Sequence, residues 1–511
     1  MSERLVLWNA EFITMDRADT RATALAVEDG RILRVGDAEE VKDLLDQGWP
    51  SLDLDGRTVL PGFIDTHNHF MLTGLLSTAV DLAGAADLAE ALERIAQGAA
   101  RTGRGDWVRA GNLNELDLRE QRLPTRDDLD RVCSDKPVFV LHATGHLCVF
   151  NSKGFEAVKP PLGLPGLDLS GGRPTGVVRD PGILTFIHPA MSRLIPKETR
   201  VEALEAAAEA ALRQGVTTVH ALDGGDLGPG DTRLICQYKD RLPLRVVSYN
   251  QSMDLAEVEE LGLPRVGGCI CADGAFEAHT AALFEPYLDE PDNYGALTFT
   301  QEVMDDFILR AHKAGLQIAV HCESERSIEQ VLWAMEKALR AFPRADHRHR
   351  IEHFELPTWN QIERLARAGI IASMQPAFIP AFIGPERMER YEVLLGRARL
   401  DRVHPYRTIL DHQVPLCGGS DSPVTPYAPL RGIMAAVDHP NPDQRVTVRE
   451  ALEMFTSTAA WAAFEEHEKG TLEPGKLADL VVLDESPYMA LDIAALRVES
   501  VYVGGRPHRP R

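Results

Sequence analysis

Between residues 59 and 468, short apolar runs alternate with helix-like stretches such as RVEALEAAAEAALRQG. This alternation constrains the chain more than any other feature. Parallel strands cannot be joined by tight hairpins, so each pair needs a crossover, usually a helix. The runs are GFIDTHNH, TTVHAL, RVVSYN, CICADG, QIAVH, RIEHF, IIASMQP and VPLCGGSD. Eight such units close a (β/α)8 barrel, so the expected class is α/β with a TIM barrel at residues 59–468.

The flanks have a different texture. RLVLWNAEFIT and ATALAVEDGRILRVG read as strands, the D-G pair favouring a hairpin, and LADLVVLD and VESVYVGGRP repeat the pattern at the other end. Residues 1–58 and 469–511 are therefore expected to build one composite β-sandwich outside the barrel. Residues 71–198 are far longer than an ordinary strand-to-helix connection and predict an inserted subdomain after the first barrel strand. QPAFIPAFIGPERMERYEVLLG, rich in Pro and aromatics, follows the seventh strand and has the composition of a lid.

Composition narrows the function classes. With 44% hydrophobic residues the chain can bury a large core, and its net charge of −23 argues against nucleic acid and anionic membranes as partners. The opening MSERLVLWNAEFITMDR lacks the apolar h-region of a signal peptide, and no run of about 18 apolar residues occurs, so a cytoplasmic protein is expected. Seven scattered cysteines do not form a disulfide framework. A homodimer is the ordinary expectation for a soluble enzyme.

The chemistry concentrates at strand ends. His67 and His69 in PGFIDTHNHF are one residue apart, so on a strand both imidazoles point to one side. His321 ends QIAVH, His353 lies in RIEHF and Asp421 ends LCGGSD, each near the C-terminal end of a barrel strand, where such barrels place catalysis. Imidazoles and a carboxylate converging there suit one or two divalent ions, Zn first, with Mn and Fe overlapping in ligand preference. The competing structural reading needs a separate hydrogen-bond partner for each buried group.

The order HxH, His, His, Asp along a barrel resembles the amidohydrolase superfamily. More narrowly, PGFIDTHNH, HATGH followed by NS, RPTGVV, ADGAFEAHTAAL, RIEHF, SMQP, GSDSPV and GTLEPGKLADLVVLD are similar to the amidohydrolase-3 group, including N-substituted formamide deformylases. The resemblance spans nearly the whole chain and implies hydrolysis of a carbon–nitrogen bond. Where that group usually carries a lysine, carbamylated in many relatives, this chain has Cys269 in GGCICADG. A thiolate can ligate Zn and can bridge two ions; the alternative is that Cys269 and Cys271 are small buried hydrophobes and the site holds one metal. The resemblance also implies substrate contacts at His146, at His279, which stands where the group has arginine, and at Phe378, where relatives tend to carry histidine.

A divalent ion lowers the pKa of water from about 15.7 towards 7 and polarises a carbonyl. Asp421 would accept the water's proton and pass it to the leaving nitrogen. In a binuclear site His67 and His69 would hold one ion, His321 and His353 a second, with Cys269 between them. The expected function is hydrolysis of a non-peptide amide or formamide-like bond in a small molecule. Two alternatives share the scaffold: a metal-dependent decarboxylase or isomerase, and a non-catalytic ligand- or metal-binding relative. No G-x-S-x-G elbow, Walker A loop or dinucleotide fingerprint competes.

Overall fold

The computed structural model describes residues 4–508 apart from 104, 105, 144, 146, 180 and 385–387. Its centre is a parallel sheet of β1 (Phe63–Asn68), β2 (Val216–Asp223), β3 (Arg245–Asn250), β4 (Arg265–Cys271), β5 (Gln317–Ser324), β6 (Arg350–Leu356), β7 (Ile371–Met374) and β8 (Leu416–Gly418), each beside the next in chain order. The last strand returns to the first. Asn68 bridges Ser422 in parallel, and the Thr66 hydroxyl donates to the Gly418 carbonyl at 3.0 Å. The eight expected runs all contribute, and the fold is the expected α/β barrel.

Strands β1, β2, β5 and β6 are buried at every position. A parallel sheet covered on both faces needs this, and it is why these strands read as runs rather than as alternating patterns. The connections are set locally. After β6, Thr358 caps the helix Trp359–Ala368 by accepting from the Gln361 N–H, the Gln361 side chain accepts in return from the Thr358 N–H, and Gly369 in the left-handed region ends it.

The barrel interior is not wholly apolar. Arg350, fully buried, donates to both oxygens of Glu352 (2.7 Å each), to the Thr66 carbonyl (2.7 Å), to the Ser373 hydroxyl (2.8 Å) and to the Tyr249 hydroxyl (3.1 Å). Each of these partners sits on a barrel strand, so one guanidinium ties β1, β3, β6 and β7 together. Charge burial on this scale is tolerated because every donor is matched.

Two backbone features at the C-terminal ends of the strands aim the side chains above this layer. His353 and Phe354 in β6 have φ of +69° and +49°, and Asp421 after β8 has +53°. Non-glycine residues rarely sit there, and such residues cluster at functional sites. In β4 the chain needs glycine: Gly267 has φ +93°, and a Cβ on it would lie 2.0 Å from the Ala319 carbonyl oxygen. The register of β4 against β5 shifts between Gly268 and Cys271, just where the two cysteines lie.

Strands from both ends of the chain share a further eight-stranded sheet. Thr58–Pro61 pairs in parallel with Arg4–Ile13 and antiparallel with Leu480–Leu483. The expected D-G hairpin is present: Asp29 and Gly30, both with positive φ, join Arg21–Glu28 to Arg31–Gly36. Leu7, Phe12, Leu25, Val59, Leu480 and Val482 form its core.

The terminal sheet and barrel belong to one compact unit, residues 1–68, 209–222 and 239–511; the other comprises 69–208 and 223–238. This second unit contains the stretch after the first barrel strand and takes back a later segment. It holds a six-stranded sheet over a core that includes Ile95, Leu129, Val138 and Val140. Asn151 of the HATGH…NS motif is consumed structurally there. Its side chain accepts from the Val138 and Gly154 N–H groups and donates to the Cys133 and Lys136 carbonyls.

Described residues of the segment read as a lid are packed down. Ile383, Tyr391, Leu394 and Leu395 are buried in one cluster with Phe276, Leu283, Tyr287 and Leu356.

Candidate metal centre

His67 is fully buried at the end of β1. Its Nδ1 lies 2.7 Å from Glu352 Oε2 and its Nε2 lies 3.2 Å from Asp421 Oδ1. The backbone joins these elements as well, since the Asp421 N–H donates to the His67 carbonyl at 2.7 Å. Asp65 accepts from the N–H groups of His67 and Ser420, bracing β1 against the turn after β8. Gly419 in that turn cannot be replaced, because a Cβ would stand 2.6 Å from the His67 nitrogen.

Electrostatics follow from this arrangement. Burial would raise the Glu352 carboxyl, but Arg350 and His67 hold it down at about 2. Burial opposes charge on His67, yet the Asp421 and Glu352 carboxylates overcome that and raise it to about 9. Two carboxylates thus converge on one imidazole, a position that demands positive charge.

Cys269 is buried with its Sγ 3.7 Å from His67 Nε2 and 3.9 Å from His321 Nδ1. The neighbouring Cys271 thiol and burial both raise its pKa well above the ordinary value. Burial lowers His321 to about 4, so this imidazole is neutral, as a metal ligand must be. The His353 ring centroid lies 4.8 Å from that of His67 and 4.3 Å from that of His321. The structure therefore brings His67, Cys269, His321, His353 and Asp421 to one place. His69 stands two residues beyond His67, where the chain passes into the second compact unit, and is the N-cap residue of the helix Phe70–Ser77.

Donor atoms of His67, Cys269 and Asp421 lie within 4.8 Å of one another, as do those of Cys269, Cys271 and His321, and those of His321, Glu323 and His353. Imidazole, thiol and carboxylate are the donor types of a zinc-like ion, and the converging carboxylates ask for a cation. These residues fit a divalent metal.

The residues expected to touch substrate fare differently. Phe378 is buried and stacks on His353, centroids 6.0 Å apart at 27°. His279, with φ +55°, contacts Asp289 Oδ2 through Nε2 at 2.9 Å and packs beside Tyr287. His146 lies outside the described residues. Sequence reasoning missed Arg350, Glu352 and Glu323. The signal was present, since the run RIEHFEL carries Arg350, Glu352 and Glu355 where a buried strand is ordinarily apolar. Asp273 of the ADG motif is structural: it accepts from the Glu323 and Ala282 N–H groups and from the Ser324 hydroxyl.

A sequence profile of the amidohydrolase family matches residues 51–508. The chain belongs to this family. The amidohydrolase is 29% identical over 99% of its length to Protein LONG AFTER FAR-RED 3 of Arabidopsis thaliana, covering 91% of that protein. It is 29% identical to the N-substituted formamide deformylase of Arthrobacter pascens, covering 98% of this chain and 97% of the relative. The crystal structure of an uncharacterized metal-dependent hydrolase from Pyrococcus furiosus superposes with a TM-score of 0.80 at 28% identity, covering 95% of this chain and all of that one. The amidohydrolase is thus a hydrolase of a metal-dependent family. Among its described residues no helix is long and apolar enough to cross a membrane.

Proposed function

We propose that this amidohydrolase cleaves a non-peptide C–N bond, amide or formamide-like, in a small molecule. The ligands would be His67, His69, Cys269, His321 and His353, and Asp421 would be the general base and acid. One observation carries the reading: the Cys269 sulfur lies within 4 Å of histidines from two different strands, with Asp421 on the same imidazole. Thiolate and imidazole donors favour Zn over harder ions.

When bound, the ion supplies Lewis acidity, lowering the pKa of water and polarising the scissile carbonyl. Asp421 takes a proton from the attacking water and delivers it to the leaving nitrogen, which an amine requires. Glu352 fixes the His67 tautomer: its carboxylate accepts from Nδ1–H and leaves Nε2 for the ion. Arg350 holds Glu352 ionised so that it can do so. Phe378 covers His353 with an apolar face, which suits a substrate with an apolar part, and the formamide chemistry is supported by the Arthrobacter relative.

The test is metal content by elemental mass spectrometry, comparing the parent protein with Cys269→Ala, together with turnover of N-formyl and N-acyl amines. A loss of bound metal in the variant and release of free amine by the parent support the reading. Absence of metal after reconstitution with Zn2+ overturns it, and carbon dioxide release without hydrolysis would move the activity to a decarboxylase.

A further inference from the structure

We propose that Glu323 is itself a metal ligand, forming with His321 and His353 a cation locus of two imidazoles and one carboxylate. The inference rests on the metal-centre reading above and adds to it a residue from outside the HxH, His, His, Asp pattern.

The placement is built by the strands. His321 and Glu323 are two residues apart in β5, so their side chains leave the strand on the same side, while Cys322 between them faces away and is fully buried. His353 comes from β6, directly beside β5 in the sheet, where Cys322 pairs with His353. Its left-handed backbone turns it towards the same point. The donor atoms of His321, Glu323 and His353 then lie within 4.8 Å of one another, and all three residues are buried.

Glu323 also lacks an ordinary partner for its charge. Its carboxyl is 6% exposed with its residue, and among the described residues no Lys or Arg forms an ion pair with it. Arg350 is taken by Glu352, and Arg402 by Glu325. Its side-chain hydrogen-bond partner is another acid, Glu355, whose Oε2 lies 3.4 Å from His404 Nε2 and whose buried Oε1 makes no hydrogen bond among the described residues. Buried carboxylates are paired with cations or coordinate metals. A cation bound beside His321 and His353 would supply the positive charge that no Lys or Arg among the described residues brings to this pair of acids. Two histidines and a glutamate are also the ligand set of open catalytic zinc sites, which leave a coordination position for substrate or water.

The experiment uses the full-length protein, stripped with chelator and titrated with Zn2+, followed by ions bound per chain, calorimetric affinity and the visible spectrum of the Co2+ form. Glu323→Gln is expected to weaken one binding event at least about tenfold, to shrink the Zn2+-induced rise in Tm and to alter the Co2+ spectrum. Glu323→Asp keeps the charge with a shorter reach and serves if the Gln variant fails to fold; it is expected to bind more weakly than the parent. A merely structural carboxyl would lower the Tm in chelator and leave the Zn2+-induced shift unchanged, which overturns the proposal. So does parental affinity in both variants while Cys269→Ala loses metal, a result that leaves the metal-centre reading standing. A parent protein that binds no Zn2+ overturns both.

Discussion

The barrel carries two histidine trios, one at each end, and they solve opposite problems. At the N-terminal end, His312 Nδ1 meets His349 Nε2 at 2.8 Å and His312 Nε2 donates to the Phe342 carbonyl at 2.7 Å. His349 Nδ1 accepts from the Ile318 N–H, His347 Nδ1 accepts from the His349 N–H, and His347 Nε2 donates to the Ala368 carbonyl. Every ring nitrogen of that trio is spent on backbone or on another ring. At the C-terminal end, His67, His321 and His353 are equally close, with centroids 4.3 and 4.8 Å apart, but their neighbours are a thiol and carboxylates. Clustering of histidines therefore does not mark a metal centre. What surrounds them sets the candidate centre apart, and in barrels of this kind stability resides at one face and chemistry at the other.

The sharpest way to separate the trios is Asp421→Asn, expected to lower kcat by about 10²–10⁴-fold with little change in Tm, measured by amine release and thermal melting. An unchanged kcat would place the proton transfer elsewhere. Next comes Arg350→Met, which leaves Glu352 buried without its cation. It is expected to destabilise the barrel by about 3–5 kcal/mol, read from urea unfolding. Glu352→Gln keeps the shape but loses the charge behind His67, and should weaken Zn2+ binding by about 10–100-fold in calorimetric titration.

At the other end, His349→Ala should cost about 1–3 kcal/mol through the unpaired groups it leaves. It should leave metal content and turnover within about twofold of the parent. The smallest effect is in pH. Burial lowers the pKa of His349, His347 and His312, so these imidazoles stay neutral in the fold and the unfolded chain takes up their protons first. Their contribution is complete above about 6.5 and is lost as pH falls below it. The urea midpoint should therefore drop between pH 7.5 and 5.5, and drop less in His349→Ala.

Much of this was legible in the sequence for a simple reason. A strand buried on both faces reads as a near-continuous apolar run, so the eight runs stand out, and His321, His353 and Asp421 stand out near their ends. Cys269 was legible as a position through its motif, but its placement between His67 and His321 depends on the glycine-bent backbone of β4. The brace behind His67 was not read. Strand alternation places Arg350 and Glu352 on one side and His353 on the other, yet Glu352 and His353 both reach His67. The left-handed residues His353 and Phe354 make this possible, and neither is a glycine that would announce the turn. The return of residues 223–238 to the second unit was equally invisible, because nothing in their composition names a partner so far back in the chain.

The Arg350–Glu352 pair has one further consequence. The anion that orients His67 is neutralised from inside the barrel, by a residue that also laces four strands together. If the proposed ion were removed, the Arg350–Glu352 pair behind His67 would remain. On the proposed reading, this corner would hold its shape while one divalent ion is exchanged for another.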